Sequence, residues 1–273
     1  MILSEGTVAA YRYARGSAPL LVSMPHAGTF IPHSVGRSLT DAAAARPDTD
    51  WHLPRLYEFL EEIGASVIVA SFSRYLIDVN RPPGGENLYP GRETPLLCPT
   101  DTFARQPLYR GEPPAEPEIR RRLETVWNRY HARIDSELDR LRAEHGAALL
   151  WDAHSIVSRC ERLFEGELPD FNFGTGGGTS CDPRISETVT RMVKEHGEYG
   201  AVLDGRFKGG YITRHHGRPD ANVHAIQLEL SQRIYMDEAS PFTFREERAR
   251  KVRPLLRSLL EKAVELLPRR ATR

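Results

Sequence analysis

Three short segments gather the side chains best suited to chemistry: Met24-Pro25-His26-Ala27-Gly28, Asp48-Thr49-Asp50-Trp51-His52 and Trp151-Asp152-Ala153-His154-Ser155. Catalytic zinc commonly takes three protein ligands of the His/His/carboxylate kind and leaves its fourth position open. His26 and His154 each follow an apolar run, and an acidic cluster lies between them in sequence, so the residues point to a metal-dependent hydrolase. The acidic ligand is Asp50 or Asp48, since both precede an amphipathic stretch and one could cap its helix. Asp50 is the favoured ligand, with Asp48 a cap or a support. His52 falls inside the same stretch and reads as structural. Asp152 and Ser155 flank His154 and offer partners to the ring nitrogen that does not ligate.

Other candidates surround this trio. In Tyr75-Leu76-Ile77-Asp78-Val79-Asn80-Arg81-Pro82-Pro83, Arg81 is stiffened by two prolines and can form a bidentate pair with a carboxylate, with Asn80 a donor beside it. The competing reading is a surface Asp78–Arg81 ion pair of little energetic weight. Glu229 lies in Ala225-Ile226-Gln227-Leu228-Glu229-Leu230-Ser231, where alternation puts Gln227, Glu229 and Ser231 on one side. A carboxylate in so apolar a strand is costly unless it is paired or functional. Glu229 is therefore the candidate general base, against a solvent-facing position on an edge strand. Arg214, in the loop Gly209 to Gly217, could bind a second carboxylate or support an oxyanion. Gly174 to Gly178 lacks the Gly-Lys-Ser/Thr ending of a phosphate loop, which excludes nucleotide binding. Trp127, Tyr130 and His131 read as helix packing.

Positioning these residues calls for strands with polar ends. Candidate strands are Leu20 to Met24, Ser66 to Ala70, Tyr75 to Val79, Ala147 to Asp152 and His224 to Leu230. Helical spacing covers Trp51 to Ile63, Glu116 to Glu144, Ile185 to Glu195 and Phe244 to Leu267. Strands separated by helices predict an α/β fold, a mostly parallel sheet between helical layers, with ligands beyond the strand carboxyl ends. Arg81 to Pro114 and Phe171 to Asp182 read as long functional loops. With neither a repeat nor a linker, residues 1–273 read as a single catalytic domain.

Balanced charge, Lys+Arg 37 against Asp+Glu 37, gives no footing for nucleic acid or an anionic membrane. A small-molecule substrate fits better, and oligomeric state is left open. The chain has no stretch of membrane-span length and no signal-like start. Three cysteines without paired spacing read as free thiols in a reducing compartment, so the expected location is the cytoplasm.

The segments Pro25 to Gly28, Asp48 to His52, Ser73 to Pro83, Trp151 to Ser155, Phe164 to Pro169, Asn172 to Thr175, Gly205 to His215, Gln227 to Leu230 and Tyr235 to Glu238 resemble, in order, the N-formylglutamate amidohydrolase family. That family resembles zinc carboxypeptidases and aspartoacylases. The resemblance implies a three-layer α/β/α fold with a mixed central sheet, and hydrolysis of N-formyl-L-glutamate to formate and L-glutamate in histidine breakdown. It also implies Zn²⁺ at His26 and His154, Glu229 as catalytic glutamate and the Asp78/Asn80/Arg81 stretch as the carboxylate grip. Carboxypeptidases place a glutamate ligand three residues after the first histidine; here that position is Thr29, and Asp50 takes the role by inference. Imidazole and carboxylate also suit manganese, cobalt or iron. Two departures from the family pattern are Glu161, where a proline is expected, and His216, where a tyrosine is expected.

Overall fold

Nine-residue strands whose side chains alternate between two apolar layers form the centre of the molecule. The computed structural model describes residues 8–89, 91 and 93–268. Its strands are β1 (Tyr11–Ala14), β2 (Leu20–Met24), β3 (Ser66–Ala70), β4 (Ala148–Ile156), β5 (Phe171–Gly174), β6 (Ala201–Leu203) and β7 (Val223–Ser231). They form one sheet in the order β1-β3-β2-β4-β7-β5-β6. β3, β2, β4 and β7 pair in parallel, whereas β1 and β5 join antiparallel to β3 and β7.

The one-turn helices α1 (His33–Gly36), α2 (Asp41–Ala44) and α3 (Leu53–Leu56) precede five longer than one turn. These are α4 (Glu116–Arg122), α5 (Asn128–His145), α6 (Pro183–His196), α7 (Tyr211–His216) and α8 (Glu246–Glu265). On one face Leu149, Trp151, Ile226 and Leu228 pack with α3, α6 and α8. On the other, Leu21, Ala148, Leu150 and Ala225 meet Tyr130, Ile134 and Leu138 of α5. The expected α/β/α layering and mixed sheet are therefore observed.

Several elements differ from expectation. Tyr75 to Val79 is a buried turn, not a strand: Leu76 N donates to Ser73 O and Arg81 N to Asp78 O. A continuously apolar run is buried equally well either way, and its pattern cannot separate the two. Phe171–Gly174, expected as loop, is β5, a fully buried strand too short to show periodicity. Trp51 to Ile63 is not one helix. His52 takes a left-handed φ of 64° before α3, and the chain leaves the α conformation at Tyr57 before a 3₁₀ turn at Glu58–Leu60. Glu116 to Glu144 is continuous but contains a π-helical turn at Leu123–Trp127. β4 runs on to Ile156, so His154 lies within the strand.

Candidate metal centre and catalytic cleft

The site forms where one face of the sheet turns from apolar to polar. Along β4 the α5-facing positions read Ala148, Leu150, then Asp152 and His154; along β7 they read Ala225, then Gln227 and Glu229. The two strands are in register, so Asp152 stands beside Gln227 and His154 beside Glu229. β7 lies between β4 and β5, which removes the edge-strand reading of Glu229. His26 follows β2 by two residues, and Asp50 N donates to His26 O at 3.1 Å, carrying Asp50 to the same place.

His26, Asp50 and His154, all buried, offer ligand atoms within 4.8 Å of one another. The two rings lie 4.8 Å apart. His26 Nε2 is 2.6 Å from Asp78 Oδ1, so it carries the proton and donates it, and Nδ1 keeps its lone pair. That Nδ1 lies 3.8 Å from Asp50 Oδ2. His154 Nδ1 lies 3.2 Å from the same oxygen, while its Nε2 stands 3.2 Å from Asp152 Oδ2. Each histidine thus has a buried carboxylate behind it and turns its Nδ1 toward Asp50, the arrangement in which outer carboxylates orient metal-binding imidazoles. The donor set and its convergence fit a divalent transition ion.

Charge at the site follows from burial. Asp78 resists the upward push of burial because His26 and Arg74 hold it well below the usual carboxylate range. His26 is pushed down by burial and then by Arg74. His154 is held well above its ordinary value because Asp152 and Asp50 outweigh burial. Burial, reinforced by Asp50 and opposed by His154, pushes Glu229 up to about 8.

His26, Asp50, His154 and Glu229 line a cleft of about 70 Å³ together with Asn80 and Arg81. Asn80 Nδ2 stands 3.1 Å from His154 Nε2. Burial lowers the pKa of Arg81, and among the described residues its Nε has no hydrogen-bond partner, leaving it suited to an anion. Asp78 is wholly buried, so the surface-pair reading fails; Arg81 Nε is 3.8 Å from it.

Arg214 does not reach this lining. Its Nε donates to Gly209 O at 2.9 Å, and its guanidinium lies over Tyr89, itself a lining residue. Arg74 and Arg206 line the cleft instead, and sequence reasoning missed both. Arg74 donates to Asp78 Oδ2 at 2.7 Å and stands 3.3 Å from His26 Nδ1. Its four-residue separation from Asp78 was the available signal, once Tyr75 to Val79 is read as a turn.

Asp48 caps no helix; it accepts from Tyr75 Oη at 2.7 Å and Phe103 N at 2.9 Å. His52 is structural, bonded through Nε2 to Phe242 O at 2.7 Å. The glycine loop folds around a protein carboxylate, with Thr175 N and Gly177 N donating to Asp204. A larger cavity of about 460 Å³, lined in part by Glu161, shares the wall Phe103, Ser155 and Ile156 with the cleft.

The profile of the N-formylglutamate amidohydrolase family matches residues 18–236. The chain is 50% identical over 250 residues to the N-formylglutamate deformylase of Pseudomonas aeruginosa, covering 91% of this chain and 94% of that one. Against the N-formylglutamate deformylase of Pseudomonas putida the identity is 48%, covering 91% and 93%. The crystal structure of N-formylglutamate amidohydrolase from Ralstonia eutropha JMP134 superposes with a TM-score of 0.81 at 25% identity, covering 95% of this chain and 98% of that one. A gene product of Agrobacterium tumefaciens, 18% identical, shares the fold with a TM-score of 0.75, covering 97% and 98%.

Proposed function

This chain belongs to the N-formylglutamate amidohydrolase family, and from that premise we propose that it hydrolyses N-formyl-L-glutamate to formate and L-glutamate, a step of histidine breakdown, in a metal-dependent way. The observation that carries the reading is the convergence of His26, Asp50 and His154 beside a buried Glu229. These three residues would hold Zn²⁺ or a similar ion, which supplies a Lewis acid that polarises a carbonyl and lowers the pKa of water.

The chain's own groups do the rest. Glu229 takes a proton from the attacking water and returns it to the leaving nitrogen as the formyl C–N bond breaks. Arg81 with Asn80 binds one substrate carboxylate, and the flat guanidinium suits a paired contact. Arg206, which also lines the cleft, would take the other; Arg214 backs Tyr89 of the same lining. Arg74, 3.3 Å from His26 Nδ1, would support the negative charge that develops on the formyl oxygen. We place the enzyme in the cytoplasm, in keeping with Cys98, Cys160 and Cys181, which are buried and unpaired.

The test is formate release from N-formyl-L-glutamate by purified protein, alongside metal analysis. Glu229→Gln should lower kcat by about 10²–10⁴-fold while the metal content stays unchanged. No release by metal-loaded wild type would reject the substrate. A second reading, removal of larger acyl groups, draws on the adjoining 460 Å³ cavity. N-acetyl and longer N-acyl glutamates, assayed beside the formyl compound, separate the two.

A further inference from the structure

Behind the Asn80–Arg81 grip, two buried histidines hold its backbone. His131, on α5, stands with Nε2 2.8 Å from Val79 O, and its Nδ1 is 2.9 Å from His216 Nε2 on α7. His216 Nδ1 in turn is 3.0 Å from Asp135 Oδ1. The two rings stack at 13°. On the far side of the grip Trp127 Nε1 donates to Arg81 O at 3.0 Å, so the segment is clasped at both flanking carbonyls. α7 also touches the grip directly, since Ile212 N donates to Asn80 Oδ1 at 2.8 Å.

These contacts require counting protons. Val79 O needs a donor, the Asp135 carboxylate needs a donor, and the contact between the two imidazoles needs one hydrogen. That makes three N–H bonds, whereas two neutral imidazoles supply only two. Burial and His216 push His131 down to about 3, so His131 stays neutral and donates from Nε2. Asp135 is held below its usual range, chiefly by its bond to His216. The three contacts thus call for one proton more than two neutral imidazoles hold. Asp135 on α5 bonds to His216, the charged or titratable His215 and Arg218 lie near it along the chain, and Trp127, Tyr130 and Tyr211 pack around His131.

We propose that His131 and His216 are positioning residues for the carboxylate grip, and that the third proton on the pair fixes how firmly Val79–Arg81 is held. The proposal rests on the assignment of Asn80 and Arg81 as carboxylate ligands. Without the third proton one of the three contacts lacks its hydrogen, and whenever His131 carries its hydrogen on Nδ1 instead, a bare Nε2 against Val79 O sets two lone pairs face to face.

The test compares His216→Phe and His216→Gln with wild type. His216→Phe should raise KM for N-formyl-L-glutamate about 10-fold, near the worth of one buried hydrogen bond, with kcat little changed. His216→Gln can donate to His131 without titrating, so its KM should stay near the wild-type low-pH value while wild-type KM rises with pH. N-formyl-4-aminobutyrate and N-formyl-2-aminobutyrate each lack one carboxylate. Whichever of them lacks the gripped one should be indifferent to His216→Phe. Equal losses on both, or a fall in kcat alone, would overturn the positioning role.

Nitrogen NMR of the imidazoles in the full chain counts the protons independently of turnover: three on the pair at low pH and two at high pH. Two at every pH would reject the clasp even in an active enzyme. An inactive wild type showing three would instead indict the substrate assignment.

Discussion

Asp78 and Asp152 settle what His26 and His154 can be. A histidine buried beside an aspartate presents one defined nitrogen to the cleft, and both rings here present Nδ1 toward Asp50. Such outer carboxylates typically govern metal affinity by 10–100-fold. Asp152→Asn keeps shape but loses the acceptor charge, and Ser23 and Thr213, which also bond to Asp152, can reorient toward the amide. We expect metal affinity, read by chelator competition, to fall by that factor of about 10–100 with little change in fold. An unchanged affinity would mean that His154 is oriented by its strand alone. At this scale the sequence revealed groups whose chemical type is improbable where they stand: His26, His154 and Glu229 in apolar surroundings, and Arg81 before two prolines. It hid Arg74 and the true part of Asp78, because their pairing depends on a turn that reads as a strand. Arg214 has the right type but is turned onto Tyr89, an orientation that no spacing encodes.

The elements are positioned by polar pins as well as by the two apolar layers. Glu137 is the clearest case: from α5 it accepts from Tyr13 Oη on β1 at 2.7 Å and from Ser66 Oγ on β3 at 2.5 Å, and it pairs with Arg140. Burial would raise its pKa, but Arg140, Ser66 and Tyr13 hold it down. Ser66 begins β3, whereas the cleft lies at the opposite, carboxyl ends of the parallel strands. Glu137→Leu should therefore cost roughly 1–3 kcal/mol, a drop of several degrees in Tm, with KM and kcat unchanged. A kinetic change of the same size as the stability loss would show that α5 transmits to the cleft. The long helices were readable because period and length agree over many residues, and β2 and β3 because each is a mostly apolar run of five residues. β5 and β6, of four and three residues, are held by pairing with neighbours distant in sequence, so their signal is not local.

For the molecule as a whole, formal charge is zero, so bulk repulsion has little hold near neutrality and a few buried groups set the pH dependence of stability. Two of them act in the same direction once the metal is removed. Glu229, ordinarily near 4.5, keeps its proton in the folded state up to about 8, and His154 also keeps a proton above its ordinary value of 6.5. His26 and His131, pushed down by burial, work the other way below 6.5; above it they are neutral in both states and the native state binds more protons than the unfolded chain, so stability must fall as pH rises from 6.5 to about 8. Every tenfold gain in proton affinity on folding is worth about 1.4 kcal/mol, which puts the loss on the order of a few kcal/mol. A divalent ion selects the deprotonated ligands and binds only the folded state, so it should flatten or invert the slope. Calorimetric Tm values of chelator-treated protein should therefore decline toward alkaline pH. Glu229→Gln should remove part of that decline, and added zinc should restore Tm most at the alkaline end. A chelated Tm that holds level over the window in both proteins would mean that solvent reaches Glu229, and the case for it as a buried base would fail with it.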